Sequence, residues 1–245
     1  MRVLVLGASG ATGKLVVNQL IKRKINTRIF IRKSAVLFNH LEENPLVEIV
    51  KGNINEIDDS ELNTLISECN VIILCLGHNV TPKGMFGNPR NLVFDAIKRV
   101  CETVKNNANK KVKIILMGTT GYTNTISGEA NSTGEKIIFS VLELLLPPHR
   151  DNIKAANHLI REIGKEDEKI EWAIVRPDTL VNHDEESSYE IFESPVRSPL
   201  FNPGKTSRIN VSRFITELVT VEKTWIEWRF KTPVVYNKSS LGSDT

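Results

Sequence analysis

Residues 1–13 read MRVLVLGASGATG: an apolar run from Val3 to Leu6 that enters three glycines, Gly7, Gly10 and Gly13, and then a helical pattern of Leu15, Val16, Leu20 and Ile21. A strand feeding a glycine-rich turn and then a helix is the layout that holds a dinucleotide pyrophosphate. One glycine allows the tight turn, one lets backbone approach the phosphates, and one lets the helix pack closely on the sheet. Amides at the helix start, together with the positive end of its dipole, then face the anion. The spacing is G-x-x-G-x-x-G rather than G-x-G-x-x-G, and Ser9, Gly10, Ala11 and Thr12 fall in the part expected to touch the phosphates.

Working outward, strand and helix signals alternate. Apolar runs at 2–6, 27–31, 47–51, 71–76, 113–117 and 171–175 predict strands, and helical patterns at 14–24, 34–43, 58–67, 90–105, 134–146 and 151–163 separate them. The strands are apolar on both faces, as in a parallel sheet covered by helices on each side. The expected fold is α/β, a doubly wound parallel (Rossmann) sheet in strand order 3-2-1-4-5-6, with the ligand crevice over the carboxyl ends of the strands. Residues 1–238 are expected to form one domain with a small C-terminal substrate-side extension, and residues 239–245 a flexible tail. Two polar stretches rich in Gly and Pro, 77–89 and 182–205, interrupt the rhythm and are expected to wall the substrate site. A helix over 211–221, capped by Asn210 or Ser212, and a late strand over 232–236 complete the reading.

The 245 residues are 40% hydrophobic and 25% charged, with a net charge of +3 and no long basic run, which excludes a disordered chain and argues against nucleic-acid binding. The three cysteines, Cys69, Cys75 and Cys101, form no C-x-x-C pair, and His149 and His158 are nine residues apart, so no metal site is expected. The longest apolar stretch, 137–146, is too short to span a bilayer and contains Glu143. With fold beginning at the first strand, no leader is expected; the expected setting is the cytoplasm, as a monomer or homodimer acting on a small molecule, with no membrane partner.

The end of the second strand selects the nucleotide. An NAD site places an acid there to bond the ribose 2′-hydroxyl. This chain reads Ile31-Arg32-Lys33-Ser34, with no acid before Glu42. Two cations suit a 2′-phosphate, and a guanidinium also stacks on adenine, so NADP(H), with NADPH preferred over NADH, is the expected cofactor. Further contacts are expected at later strand ends: Asn53 and Ile54 at the adenine, Leu76 and Gly77 at the ribose and phosphates, and Thr119 beside the nicotinamide.

These segments together resemble the atypical short-chain dehydrogenase/reductases, and within them the single-domain NAD(P)H-binding branch that includes biliverdin/flavin reductases and NmrA-like proteins. The resemblance rests on GASGATG from Gly7, Arg32, KGN before Ile54, CLG at 75–77, KAA at 154–156, WAIVRP at 172–177, TSRINVSRF at 206–214 and PVVYN from Pro233. It implies the Rossmann fold and places Pro177 beside the cofactor. The wider family reduces carbonyls with a Tyr-x-x-x-Lys pair; Lys154 matches the lysine, which holds the nicotinamide ribose, but Arg150 stands at the tyrosine position. Thr120 matches the family's strand-five hydroxyl, and Tyr122 is a substitute acid from the following loop; His78 and His149 are further candidates. Lys154, Thr120 and Tyr122 are thus the expected catalytic residues. The implied activity is hydride transfer from NADPH to a planar or carbonyl acceptor such as a flavin or quinone. The absent tyrosine keeps open a non-catalytic NADP(H)-sensing regulator of NmrA-like type; an isomerase or epimerase acting through tightly held cofactor is a further alternative, although that chemistry normally needs the same tyrosine.

Overall fold

A computed structural model describes residues 1–35, 39–78 and 81–238. Its strands are β1 (Arg2–Leu6), β2 (Asn26–Ile31), β3 (Val47–Lys51), β4 (Val71–Leu74), β5 (Val112–Met117), β6 (Ile170–Pro177), β7 (Thr179–Val181), β8 (Tyr189–Phe192), β9 (Lys205–Ser207) and β10 (Val234–Asn237). Its helices are α1 (Ala11–Lys22), α2 (Asn39–Glu42), α3 (Asp59–Ile66), α4 (Pro82–Phe86), α5 (Leu92–Asn107), α6 (Thr133–Leu145), α7 (Pro147–Asn157), α8 (Arg208–Thr220) and α9 (Glu222–Trp228). The main sheet runs β3-β2-β1-β4-β5-β6-β10-β8. All its pairings are parallel except β10 with β8. The expected order holds for the first six strands, and β10 and β8 extend it.

Alternation along the buried strands builds a core on each face. Leu4, Leu6, Ile72, Leu74, Ile114 and Leu116 meet Leu62 and Leu65 of α3, Val93 and Ile97 of α5 and Ala155 of α7. Val3, Val5, Ile73 and Ile115 point the other way, onto Val16 and Leu20 of α1, Phe214 and Leu218 of α8 and Trp225 of α9. The first helix is held to its strand at almost no clearance. Gly7 has φ +79°, and a Cβ there would lie 2.5 Å from the carbonyl oxygen of Cys75; a Cβ on Gly13 would lie 2.2 Å from the carbonyl oxygen of Gly7. Both positions exclude a side chain by packing.

Other expectations change in detail. The helix placed at 34–43 appears as α2 over 39–42, and residues 36–38 of that range lie outside the described residues, as do 79–80 of the 77–89 stretch and the tail 239–245. The stretch 77–89 contains α4. The stretch 182–205 is not wholly loop: β8 forms inside it, and β9 at its end pairs with β7. Four residues or fewer per strand leave too little alternation to read. Helix α8 starts earlier than expected because Ser207, not Asn210 or Ser212, is its cap, its hydroxyl accepting from the Asn210 amide at 3.3 Å. Asn210 is instead buried and stitches Ser187 to Asn237. Helix α9 was not legible because its seven residues show only Trp225 and Trp228 turned inward.

One buried ion pair fixes the loop after β5. Arg176 of β6 is fully buried; its guanidinium makes two bonds to the Glu129 carboxylate, at 2.5 and 2.8 Å, and donates to the carbonyls of Tyr122, Thr232 and Glu193. Paired this way the charge is satisfied, but losing one partner strands the other in the interior. Glu129→Ala is expected to destabilise the protein by about 3–5 kcal/mol. Urea unfolding measures this; a loss below about 1 kcal/mol, the range of exposed ion pairs, would contradict the arrangement.

Candidate cofactor and active site

The turn after β1 determines where a ligand can lie. Its φ at Gly7 sends the chain back so that the Gly10 amide donates to the Gly7 carbonyl at 3.0 Å, and α1 begins at Ala11. Gly10, the N-cap, brings no capping side chain, and the first turn of α1 carries no acid. A Cβ on Gly10 would meet only the Gly7 carbonyl at 3.2 Å and the Cys75 carbonyl at 3.9 Å, and a Cβ on Gly77 would meet nothing within 4 Å. Gly7 and Gly13 are therefore required by the fold itself, whereas Gly10 lines the cleft with a Cβ position crowded by the Gly7 carbonyl, and Gly77 borders open space. That open space suits the pyrophosphate of a dinucleotide.

It belongs to a cleft of about 550 Å³ at the carboxyl edge of the sheet. The lining includes Gly7, Ser9, Gly10, Arg32, Asn53, Ile54, Leu76, Gly77 and His78, all singled out in the sequence. Of the other expected residues, Ala11 is exposed at the helix start, while Thr12 and Gly13 are buried behind the loop. Lys33 is exposed beside Arg32 without lining the cleft. Asn53 spends its side chain on its own turn, accepting from the Asn55 amide at 3.2 Å and donating to Glu56 at 2.7 Å. Ile54 is 5% exposed and anchors that turn in the core. Arg99 of α5 holds the turn from behind, donating to the carbonyls of Ile54 and Ile57 at 2.8 and 2.7 Å.

At the other end of the cleft a carboxylate gathers three elements. Asp151 of α7 is fully buried and accepts from the Val93 and Phe94 amides at 2.8 and 2.9 Å, capping the start of α5 from outside that helix. The same carboxylate bonds His78 Nε2 at 2.8 Å, while His78 Nδ1 lies 3.3 Å from the Gly84 carbonyl in α4. One turn on from Asp151, Lys154 donates to Asn91 at 3.1 Å and stands 5.7 Å above the Phe94 ring. Asn91 is the residue before α5, and its neighbour Leu92 lines the cleft. Burial first, then the charge of Asp151, hold Asp95 above the usual carboxylate range, and Lys154 opposes both. Arg150, at the family's tyrosine position, is exposed.

The remaining candidates do not line the cleft. Thr119 accepts from the Gly121 amide at 3.1 Å. Thr120 donates to Asp178 at 3.3 Å, and Asp178 also accepts from the Gly204 amide at 2.9 Å. Burial raises Asp178 above the usual range, against the lowering by the Gly204 and Thr120 bonds. Tyr122 is 5% exposed, donates to Asn157 at 3.1 Å, and burial pushes its phenol up. Pro177 is buried, its carbonyl accepting from the Thr120 amide at 3.3 Å. His149 stacks on Phe139 of α6 at 5.8 Å, and burial lowers its pKa. The structure thus gathers the glycine loop, Arg32, the Asn53 turn, Leu76, Gly77 and His78 around one cleft with Lys154 near its end. It does not bring Thr120 or Tyr122 to that lining. Sequence reasoning missed Asp151, Asn91, Arg99 and Asp178. For Asp151 the one available signal was its place three residues before Lys154, on the same face of one helix.

The fold recurs in solved proteins. A short-chain dehydrogenase/reductase from Veillonella parvula, solved in complex with NADP, superposes with a TM-score of 0.67 at 16% identity, covering 97% of this chain and 95% of that one. ChuY, an anaerobillin reductase from Escherichia coli, gives 0.68 at 15% identity over 99% and 100% of the two chains. The oxidoreductase ylbE from Lactococcus lactis gives 0.67 at 15% identity over 98% and 92%. No curated protein matches the sequence. The family model described as NAD(P)H-binding matches residues 7–222, from the first glycine of the loop to the start of α9. The chain therefore belongs to the NAD(P)H-binding family.

Proposed function

We propose that the protein is an NADPH-dependent reductase that passes hydride to a small planar or carbonyl acceptor. The observation that carries the NADPH part is the end of β2: Arg32 lines the same cleft as Gly7, Ser9 and Gly10, and Lys33 follows it where an NAD site would carry an acid. When bound, the cofactor supplies the hydride from its nicotinamide ring, and the protein supplies placement. In this reading the loop at 7–13 holds the pyrophosphate and Arg32 the 2′-phosphate. Lys154, steadied by Asn91, holds the nicotinamide ribose. His78 forms the wall at that end, and Asp151 positions it. Thr119 and Pro177 border the nicotinamide. Thr120, backed by the carboxyl of Asp178, is the hydroxyl we assign to proton supply. Tyr122, its ring in the core and its hydroxyl bonded to Asn157, serves the fold.

A second reading is favoured by one specific observation: Arg150 occupies the tyrosine position and points to solvent. The protein would then bind NADP(H) as a sensor without turning it over. NADPH oxidation with a panel of flavins and quinones separates the two. Turnover with any acceptor supports the reductase, and tight NADPH binding with no turnover across the panel supports the sensor.

The cation pair gives a binding prediction. The unmodified protein should bind NADPH more tightly than NADH, and Arg32→Ala/Lys33→Ala should weaken NADPH by ~10-fold or more while changing NADH little, because charge-assisted bonds to the 2′-phosphate are lost. Fluorescence titration of both nucleotides measures this. Equal affinities in the unmodified protein would overturn the assignment.

The glycine loop gives another. Gly10→Val should abolish nucleotide binding with the circular dichroism spectrum little changed, since a Cβ there crowds only the Gly7 carbonyl, at 3.2 Å, and the residue lines the cleft. Gly13→Val should unfold the protein. Unchanged NADPH affinity in Gly10→Val would show that the cleft holds no pyrophosphate.

Single-turnover NADPH oxidation with one active acceptor tests the other end. Lys154→Ala should slow it by ~100-fold through misplacement of the ring, and Thr120→Val by a comparable factor or more if it supplies the proton. Arg150→Ala should stay near the unmodified rate. Should Arg150→Ala alone stop turnover, the nicotinamide end is misassigned.

A further inference from the structure

Helix α6 presents an apolar face that nothing covers among the described residues. Its 13 residues, TGEKIIFSVLELL, turn only one narrow side inward: Glu135 is buried, Leu142 and Phe139 are half-buried, and Phe139 stacks on His149. On the adjoining side Ile137, Val141, Leu144 and Leu145 recur at helical spacing and stay 63, 47, 82 and 59% exposed. Phe201 extends this face at its N-terminal end. Its ring lies 3.6 Å from where a Cβ on Gly134 would stand, and it is 64% exposed. Its position is held by Ser198, whose hydroxyl donates to Glu135 at 2.5 Å and accepts from the Phe201 amide at 2.9 Å. A fixed aromatic thus continues the aliphatic stripe.

With ordinary side-chain areas these residues leave on the order of 600 Å² of apolar surface open, at the top of the ~300–600 Å² found for the largest patch of a monomer. We propose that a second copy of this chain covers it, the two α6 helices packing face to face across a two-fold axis. Such a pairing buries on the order of 1,200 Å² in total, where specific interfaces begin, and an apolar stripe is complementary to itself, as an isologous contact requires.

Three other occupants fit less well. The chain's own residues 239–245, SSLGSDT, carry one large apolar side chain, Leu241, too little to cover the face. An anionic membrane calls for a polar face rich in Lys and Arg, whereas α6 has Lys136 alone against Glu135 and Glu143. A small acceptor takes a concave site, and α6 contributes no residue to the cleft lining. The proposal stands apart from the reductase reading, since it requires neither nucleotide nor turnover.

Sedimentation equilibrium of the unmodified protein over a wide concentration range should show a reversible dimer. Leu144→Glu and Ile137→Lys, each at an exposed position, should weaken it by ~100-fold or more, because a charge would be buried unpaired in the seam. Both should keep the native circular dichroism spectrum and NADPH affinity, which separates failure of the interface from failure of the fold or of the cofactor reading. A protein that is monomeric throughout the range would overturn the proposal. So would a dimer that persists unchanged in both variants. Flotation of a monomeric protein with vesicles of phosphatidylcholine and phosphatidylserine, lost in Leu144→Glu, would overturn it in favour of a lipid surface.

Discussion

The contact between Gly13 and the Gly7 carbonyl, where even a methyl group would come within 2.2 Å of the oxygen, sets the position of the first helix. A methyl group on Gly7 would in turn come within 2.5 Å of the Cys75 carbonyl oxygen after β4, so β1, α1 and β4 are registered by three closely apposed stretches of backbone. Close packing on this scale tolerates no adjustment. Its consequence is directional: the start of α1 must face the carboxyl edge of the sheet, beneath the end of β2 and beside Leu76 and Gly77. The cleft is what remains between those fixed parts, and its polarity follows from them. Helix amides lie at one wall, Arg32 at another, and no carboxylate competes in the first turn of α1.

At the opposite end a single buried carboxylate does comparable service. Asp151 lies on α7 but satisfies the amides that begin α5, so the two helices are held in register by a cap shared between them. Because the same group bonds His78, the segment after β4 is tied to that joint, and Lys154 on the next turn reaches Asn91 beside it. A Tyr-x-x-x-Lys helix places its chemistry on the lysine and the residue four before it. In this chain a buried carboxylate, Asp151, stands three before the lysine, and the position four before is exposed. The face of α7 that meets His78 and the start of α5 is thereby defined by structure and charge, with the tyrosine's place left to solvent.

Legibility from sequence followed the length of each signal. The strands from β1 to β6 and the longer helices between them, α1, α3, α5, α6 and α7, were readable because each carries several apolar residues at one period, whereas the short α2 was legible only roughly and α4 not at all. The glycine loop was readable because its spacing has a steric cause. The cleft residues at strand ends were readable for the same reason: the fold places every parallel strand's carboxyl end at one edge. What escaped were contacts between segments far apart in sequence. Asp151 meets Val93 across 58 residues, Arg99 meets Ile54 across 45, and Arg176 meets Glu129 across 47. No local pattern encodes such partners, and a polar residue destined for burial looks like a surface one until the fold supplies its mate. Strands β7, β8 and β9 escaped because each is too short for its alternation to register, and Tyr122 looked like a loop residue although its ring packs in the core.

The central claim is that the cleft between the glycine loop and the end of β2 holds NADPH. A crystal structure of the protein grown with NADPH tests it most directly. The account predicts the pyrophosphate against the backbone of Gly10 to Thr12, the 2′-phosphate within hydrogen-bond distance of the Arg32 guanidinium, and the nicotinamide ribose at Lys154. A nucleotide bound with its 2′-phosphate in solvent away from Arg32, or with its pyrophosphate away from the 7–13 loop, would contradict it.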